Sequence, residues 1–233
     1  MVLYERPIRS YVRRGGRITL KQQHGLQKGW PLFGLQVPER GFLDLDAAFK
    51  RKASIICEIG FGMGQSFLQL AKDNPDNNYL GIEVHQPGVG GLLTDVLSNG
   101  LHNVRVILED ATKVLNCAIP DQALSELLLY FPDPWPKNRH HKRRLVQPDF
   151  VQLVSQKLRP KGRWRLATDW KDYAQHMSKV IEGSGFFTNL SRLNQQGSDK
   201  ANRLETKFEL RGKRLGHEIW DFEFENRLNP TSS

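Results

Sequence analysis

One stretch sets the terms for the rest of the chain: Glu58-Ile59-Gly60-Phe61-Gly62-Met63-Gly64-Gln65. It follows a short apolar run, Ile55-Ile56-Cys57, and precedes Ser66-Phe67-Leu68-Gln69-Leu70-Ala71. The apolar run reads as a buried strand and the last stretch as the opening of a helix. A glycine-rich turn between strand and helix lets backbone approach a ligand closely, because no Cβ intrudes. The helix N-terminus adds free N–H groups and partial positive charge.

Spacing selects among ligands. A dinucleotide fingerprint requires G-x-G-x-x-G, and counting from Gly60 its last position falls on Gln65, so that pattern fails. A Walker loop is excluded because no G-K-[ST] follows. What stands here is E-x-G-x-G-x-G, with the acid at the strand end. It resembles the nucleoside-binding loop of Rossmann-like S-adenosylmethionine (AdoMet) methyltransferases. The plain alternative is a turn that binds nothing, and the acids farther along weigh against it.

From Ser54 onward strands and helices alternate. Expected strands are Ile55–Ile59, Asn78–Glu83, Val104–Leu108, one within Leu124–Phe131, and Arg163–Thr168. Expected helices are Gln65–Lys72, Gly90–Leu97, Asp149–Lys157 (ending near Pro160-Lys161-Gly162) and Tyr173–Glu182. Two late strands, Phe186–Leu190 and Ile219–Phe224, pair as an antiparallel edge hairpin. The expectation is an α/β fold: a doubly wound, mostly parallel sheet with helices on both faces. Residues 1–50 read as a basic N-terminal extension, flexible at its start, with Leu32-Phe33-Gly34-Leu35 and Phe42-Leu43-Asp44-Leu45 able to dock. Residues 51–233 read as the catalytic domain.

In a doubly wound sheet, ligands sit at the carboxyl ends of the strands. Those ends here carry Glu58, Glu83, Glu109-Asp110, Asp133 and Asp169, one carboxylate or more for each of five strands. AdoMet, with its sulfonium, ammonium and ribose diol, suits such a rim. Glu83 is placed to accept the ribose hydroxyls. Asp110 with Ala111 sits where an adenine amine is read, and Asp110 also fits a helix N-cap before Ala111-Thr112-Lys113. Glu58 lies near the expected methionyl group.

The segment Phe131-Pro132-Asp133-Pro134-Trp135-Pro136-Lys137 has three prolines that fix the backbone and remove donors. A stiff, aromatic, acidic loop at a strand end suits holding a planar base beside a methyl donor. A dense basic block follows: Asn138, then Arg139, His140, His141, Lys142, Arg143 and Arg144. A solvated face is its plain reading, but its place beside Asp133 favours phosphate binding. The two histidines lack partners at metal-ligand spacing, so no metal is expected.

The chain has 233 residues and a formal charge of +9, which favours a polyanionic partner. No apolar run is long enough to span a bilayer, and Met1-Val2-Leu3-Tyr4-Glu5-Arg6 lacks the apolar core of a secretory signal. Cys57 and Cys117, both in apolar surroundings, read as reduced core residues of a cytoplasmic protein.

The motifs from Glu58–Gly64, through Gly81-Ile82-Glu83-Val84-His85 and Phe131–Lys137, to Ala167-Thr168-Asp169 and Thr206-Lys207-Phe208-Glu209 together closely resemble the bacterial tRNA (guanine-N7)-methyltransferase family. The likeness runs from about Tyr11 to about Phe224. It implies methylation of N7 of a guanine in the tRNA variable loop, with AdoMet as donor. It further implies AdoMet binding by Glu58, Gly60, Gly62, Gly64, Glu83, Asp110, Ala111 and Asp133, and catalysis by Asp133. Substrate binding falls to Lys137, Asp169, Thr206, Lys207, Phe208 and Glu209, and RNA contact to Arg139–Arg144. Two other readings stand beside it. One is an AdoMet enzyme for a different acceptor, although a side-chain or exocyclic-amine enzyme would carry N/D-P-P-Y/F where this chain has Asp133-Pro134-Trp135-Pro136. The other is a non-catalytic RNA-binding protein on the same fold. Oligomeric state and the set of tRNAs accepted are not encoded in any of these patterns.

Overall fold

The computed structural model describes residues 10–11, 17–191 and 218–227. The Thr206–Glu209 motif lies outside the described residues. Thr19 opens the first helix with a capping box: its hydroxyl accepts from Gln22 N, and the Gln22 side chain accepts from Thr19 N. This helix, α1 (Leu20–His24), runs on through a π-helical turn (Gly25–Gly29) into α2 (Trp30–Phe33). A two-residue strand β1 (Gly34–Leu35) and α3 (Leu45–Phe49) follow. Then come β2 (Ile55–Ile59), α4 (Gln65–Asp73), β3 (Asn78–Glu83), α5 (Gln86–Ser98) and β4 (Val104–Leu108). After α6 (Ala111–Cys117) and β5 (Leu124–Tyr130), a 3₁₀ helix (Asn138–Arg143) leads to α7 (Pro148–Lys157). The last described elements are β6 (Leu158–Thr168), α8 (Lys171–Gly183), β7 (Phe187–Asn189) and β8 (Trp220–Asn226).

The strands form one sheet in the order β1-β4-β3-β2-β5-β6-β8-β7. Strands β1 to β6 pair in parallel, and β8 runs antiparallel to both β6 and β7. The order reverses between β2 and β5, so a crevice opens above the carboxyl end of β2. Alternation along the strands sends Leu80, Ile82, Leu127 and Leu129 to one face, against Val114, Phe150 and Tyr173 of α6, α7 and α8. Tyr79, Val104 and Val106 go to the other face, against Phe67 of α4 and Leu92 and Val96 of α5. The sheet is therefore covered on both sides, as the alternating pattern required.

Several expectations are corrected. Strand β6 begins at Leu158, directly after the helix, and takes in Pro160-Lys161-Gly162. The register against β5 shifts between Leu124 and Glu126, and Lys161 has φ +60°, so an irregularity absorbs the proline within the strand. Cys57 is buried but Cys117, at the end of α6, is exposed, so only the first is a core thiol. The glycines of the first helical stretch sit at a helix contact. A Cβ on Gly25 would meet the carbonyl oxygen of Gly90 at 1.9 Å, so only glycine lets this stretch lie directly on α5. The Thr94 hydroxyl donates across that junction to Lys21 O at 2.7 Å. Phe33, Leu45 and Phe49 are buried, so the expected docking segments do pack on the sheet. Among the described residues, no helix is long and apolar enough to cross a membrane.

Candidate active site

Strand β2 ends at Ile59, and the chain turns through Gly60, Gly62 and Gly64 at φ of +75°, +59° and +75°. These left-handed conformations are open to glycine without the penalty a Cβ would bring. Glu83, at the end of β3, holds this loop in place. It accepts from Gly62 N at 2.7 Å, from Val84 N at 2.7 Å and from His85 N at 3.0 Å. A carboxylate offers about four acceptor positions, so about one remains for a ligand hydroxyl where the sequence suggested two.

Glu58 lies inside, 4 % exposed, and its Oε2 has no hydrogen-bond partner. Burial, with the charge of Glu83 nearby, pushes its carboxyl up to about 8. A buried acceptor without a donor is costly and uncommon in a folded protein. It marks Glu58 as a group that a positively charged or hydrogen-bonding ligand would satisfy.

A cavity of about 380 Å³ opens at this rim, within the range of about 300–1,000 Å³ for small-molecule sites. Gly60, Gly62, Glu83, Asp110, Ala111 and Asp133 all line it. Asp110 caps α6 by accepting from Lys113 N at 3.1 Å, so its capping role and its place in the wall coexist. Gly64, the N-cap of α4, and the buried Glu58, next to the lining residue Ile59, are not part of the wall. Asp169 ends up half-buried just beyond β6 and is not part of the wall. Sequence reasoning missed Ser10, Tyr11, Met63 and His85 as wall residues. The proximity of Ser10 and Tyr11 has no local signature, because it joins positions 125 residues apart.

The loop after β5 is rigid in an unusual way. Phe131 and Trp135 adopt φ of +52° and +44°, sparsely populated for residues with side chains. The Trp135 ring is engaged within the protein: Arg143 lies over it at 4.7 Å, and His140 meets it edge-on at 5.9 Å. Its Nε1 donates to Ser10 O at 3.0 Å. Trp135 is thus a structural hub and not the free stacking surface that the sequence suggested.

The basic block divides. Lys137, Arg139 and Lys142 are exposed on the 3₁₀ helix and its start, available to phosphate. Arg144 faces inward and is 2 % exposed. It donates from Nε to Pro134 O at 2.9 Å, pairs with Asp172, and lies over the Tyr173 ring at 5.0 Å. The hydrogen bond and charge of Arg144 hold the Asp172 carboxyl below its ordinary range. His141 is half-buried beside Arg144, 3.0 Å from its Nη2. Desolvation and the neighbouring cations, Arg139 foremost, lower His140 from its ordinary value. Among the described residues, no group of three or more His, Cys, Asp or Glu side chains is arranged to hold a metal.

A family model described as "Putative methyltransferase" matches residues 52–222. A tRNA (guanine-N(7)-)-methyltransferase of Alkalilimnicola ehrlichii is 52 % identical over 227 residues, covering 97 % of this chain and 95 % of that protein. One of Escherichia coli is 49 % identical over 220 residues, covering 94 % and 92 %. The chain belongs to the tRNA (guanine-N(7)-)-methyltransferase family. Solved structures show that its fold is shared more widely. The 16S rRNA methyltransferase KamB superposes with TM-score 0.54 at 14 % identity, covering 81 % of this chain and 96 % of that one. The aminoglycoside resistance methyltransferase NpmB1 gives 0.54 at 12 %, covering 80 % and 94 %. At such identities the likeness concerns the Rossmann-like sheet, while the tRNA (guanine-N(7)-)-methyltransferase family assignment rests on the near full-length relatives.

Proposed function

We propose that this protein transfers a methyl group from AdoMet to N7 of a guanine in the variable loop of tRNA, forming 7-methylguanosine. The observation that carries the reading is one cavity lined both by the Glu83-pinned glycine loop and by Asp133. The residues present fit AdoMet. Its sulfonium and ammonium are cationic, and the cavity is lined by the carboxylates of Glu83, Asp110 and Asp133. In this reading the backbone of Gly60, Gly62 and Gly64 admits the methionyl end, Glu83 takes a ribose hydroxyl, and Asp110 with Ala111 reads the adenine. The bound donor supplies an electrophilic methyl carbon.

The protein's share of the chemistry is positioning. Guanine N7 already carries an in-plane lone pair, so no proton must leave before attack and no general base is demanded. Alignment of nucleophile and electrophile can supply about 7–11 kcal/mol, and the proline-fixed, Arg144-anchored loop is built for it. Methyl transfer moves positive charge onto the guanine ring. A carboxylate at Asp133 favours that redistribution and can accept from the base's N1–H or amino group. Asp169 and the Thr206–Glu209 motif share the substrate edge in this reading, and Lys137, Arg139 and Lys142 hold tRNA phosphates. The exchange of Asp133→Asn tests it: single-turnover methyl transfer should fall by at least about tenfold with both ligands still bound. An unchanged rate would remove Asp133 from the chemistry.

A further inference from the structure

The N-terminal residues Ser10 and Tyr11 are half-buried and line the same cavity as Phe131, Pro132 and Asp133. They are held there by the hydrogen bond from Trp135 Nε1 to Ser10 O, 3.0 Å. The donor is itself fixed. Trp135 stands between Pro134 and Pro136, under the Arg143 guanidinium and against His140. The loop that carries Asp133 therefore also anchors the residue preceding Tyr11.

This arrangement meets a need that the loop leaves open. A guanine presented beside Asp133 requires a flat apolar surface, yet the Trp135 ring is already occupied by Arg143. Tyr11 is an aromatic residue lining that same cavity. The chemistry favours such a ring, because the guanine gains positive charge as the methyl arrives. An aromatic face attracts a cation more strongly than a neutral base, so it stabilises the transition state and product over the bound substrate.

We infer that Tyr11 is a further substrate-contacting residue: its ring stacks on the acceptor guanine, with the Ser10–Trp135 hydrogen bond setting its place. The inference rests on the functional reading above and adds to it the surface that holds the base.

The test uses the full-length protein, unmodified tRNA and AdoMet, with Tyr11→Ala, Tyr11→Phe and Trp135→Phe. AdoMet affinity, tRNA affinity, thermal unfolding and the single-turnover rate are measured for each. Tyr11→Ala should lose at least about fivefold in single-turnover rate, the lower end of what one base–aromatic stack contributes. Its AdoMet affinity and unfolding temperature should match wild type. Tyr11→Phe keeps the ring and should keep the rate. Trp135→Phe keeps a ring in the loop but deletes the donor to Ser10, and should show a smaller loss in the same direction. An unimpaired Tyr11→Ala enzyme would overturn the inference. So would an equal loss of AdoMet affinity, which would put Tyr11 on the donor, or a Tyr11→Phe enzyme as slow as Tyr11→Ala, which would put the effect on the hydroxyl. Failure of the wild-type protein to form 7-methylguanosine would overturn the functional reading and this inference together; wild-type product with an unimpaired Tyr11→Ala would overturn the inference alone.

Discussion

Arg144, a buried residue in an otherwise largely exposed basic run, donates from Nε to the carbonyl oxygen of Pro134 at 2.9 Å. One side chain thereby ties the end of the 3₁₀ helix and the start of α8 to the loop that carries Asp133. Lysine cannot reproduce the planar fork that serves Pro134 and Asp172 together. Arg144→Lys should cost about 1–3 kcal/mol of stability, the penalty for leaving buried polar groups unpaired. It should also slow methyl transfer by up to about a hundredfold, the scale of a small misplacement near the chemistry. Thermal unfolding and single-turnover rates check both.

The inward and outward cations are separable by salt. Each phosphate contact contributes close to one to the slope of log affinity against log salt. Arg139→Ala and Lys142→Ala, both at exposed positions, should each reduce that slope for tRNA binding by about 0.7–0.9. Arg144→Lys should leave it unchanged. Filter binding across a salt series distinguishes the two groups.

Glu58 makes stability depend on pH. Its carboxyl is pushed from 4.5 to about 8 in the folded protein. Between those values the folded state holds a proton that the unfolded chain has released. Stability from this group therefore falls as pH rises through the window. Glu58→Gln should be more stable than wild type at pH 8, by about 2–4 °C for each kcal/mol relieved, and the gap should close toward pH 5. If Glu58 meets the cationic donor as a carboxylate, the same substitution should weaken AdoMet binding at pH 8, where the carboxyl begins to carry charge, and change it little at pH 5. Thermal scans at both pH values and an AdoMet titration check the pair.

Gly64 combines two constraints. Its φ is +75°, and a Cβ there would lie 2.9 Å from the Leu92 side chain on α5. Gly64→Ala should lose about 1–3 kcal/mol from the strained backbone alone and more from crowding α5. Because the glycine loop shifts with it, AdoMet affinity should fall as well. Urea unfolding and equilibrium binding measure the two losses.

Much of this architecture is legible in the chain because each main strand carries its own apolar period. Ile55–Ile59, Asn78–Glu83 and Val104–Leu108 match the observed bounds for that reason. The two residues of β1 are too few to show a period, and they exist only through pairing with Val106 and Ile107. The role of Gly25 and Gly29 is not visible locally, because the contact with α5 that needs them is chosen by tertiary packing. At the site, Glu58, Glu83, Asp110 and Asp133 stand at strand ends and are visible as such. The inward turn of Arg144 is not, since its partners Pro134 and Asp172 are chosen by tertiary packing and one basic residue in a run looks like the next. Tyr11 is hidden for the same reason: its relation to the site passes through Trp135, far along the chain.

The most direct measurement is transfer of labelled methyl from AdoMet to unmodified bulk tRNA, followed by digestion and nucleoside analysis. The account predicts label in 7-methylguanosine and in no other nucleoside, with little transfer by Asp133→Asn. Label in a different nucleoside would contradict the assignment of guanine N7, and no transfer to tRNA by a protein that binds AdoMet would contradict the substrate itself.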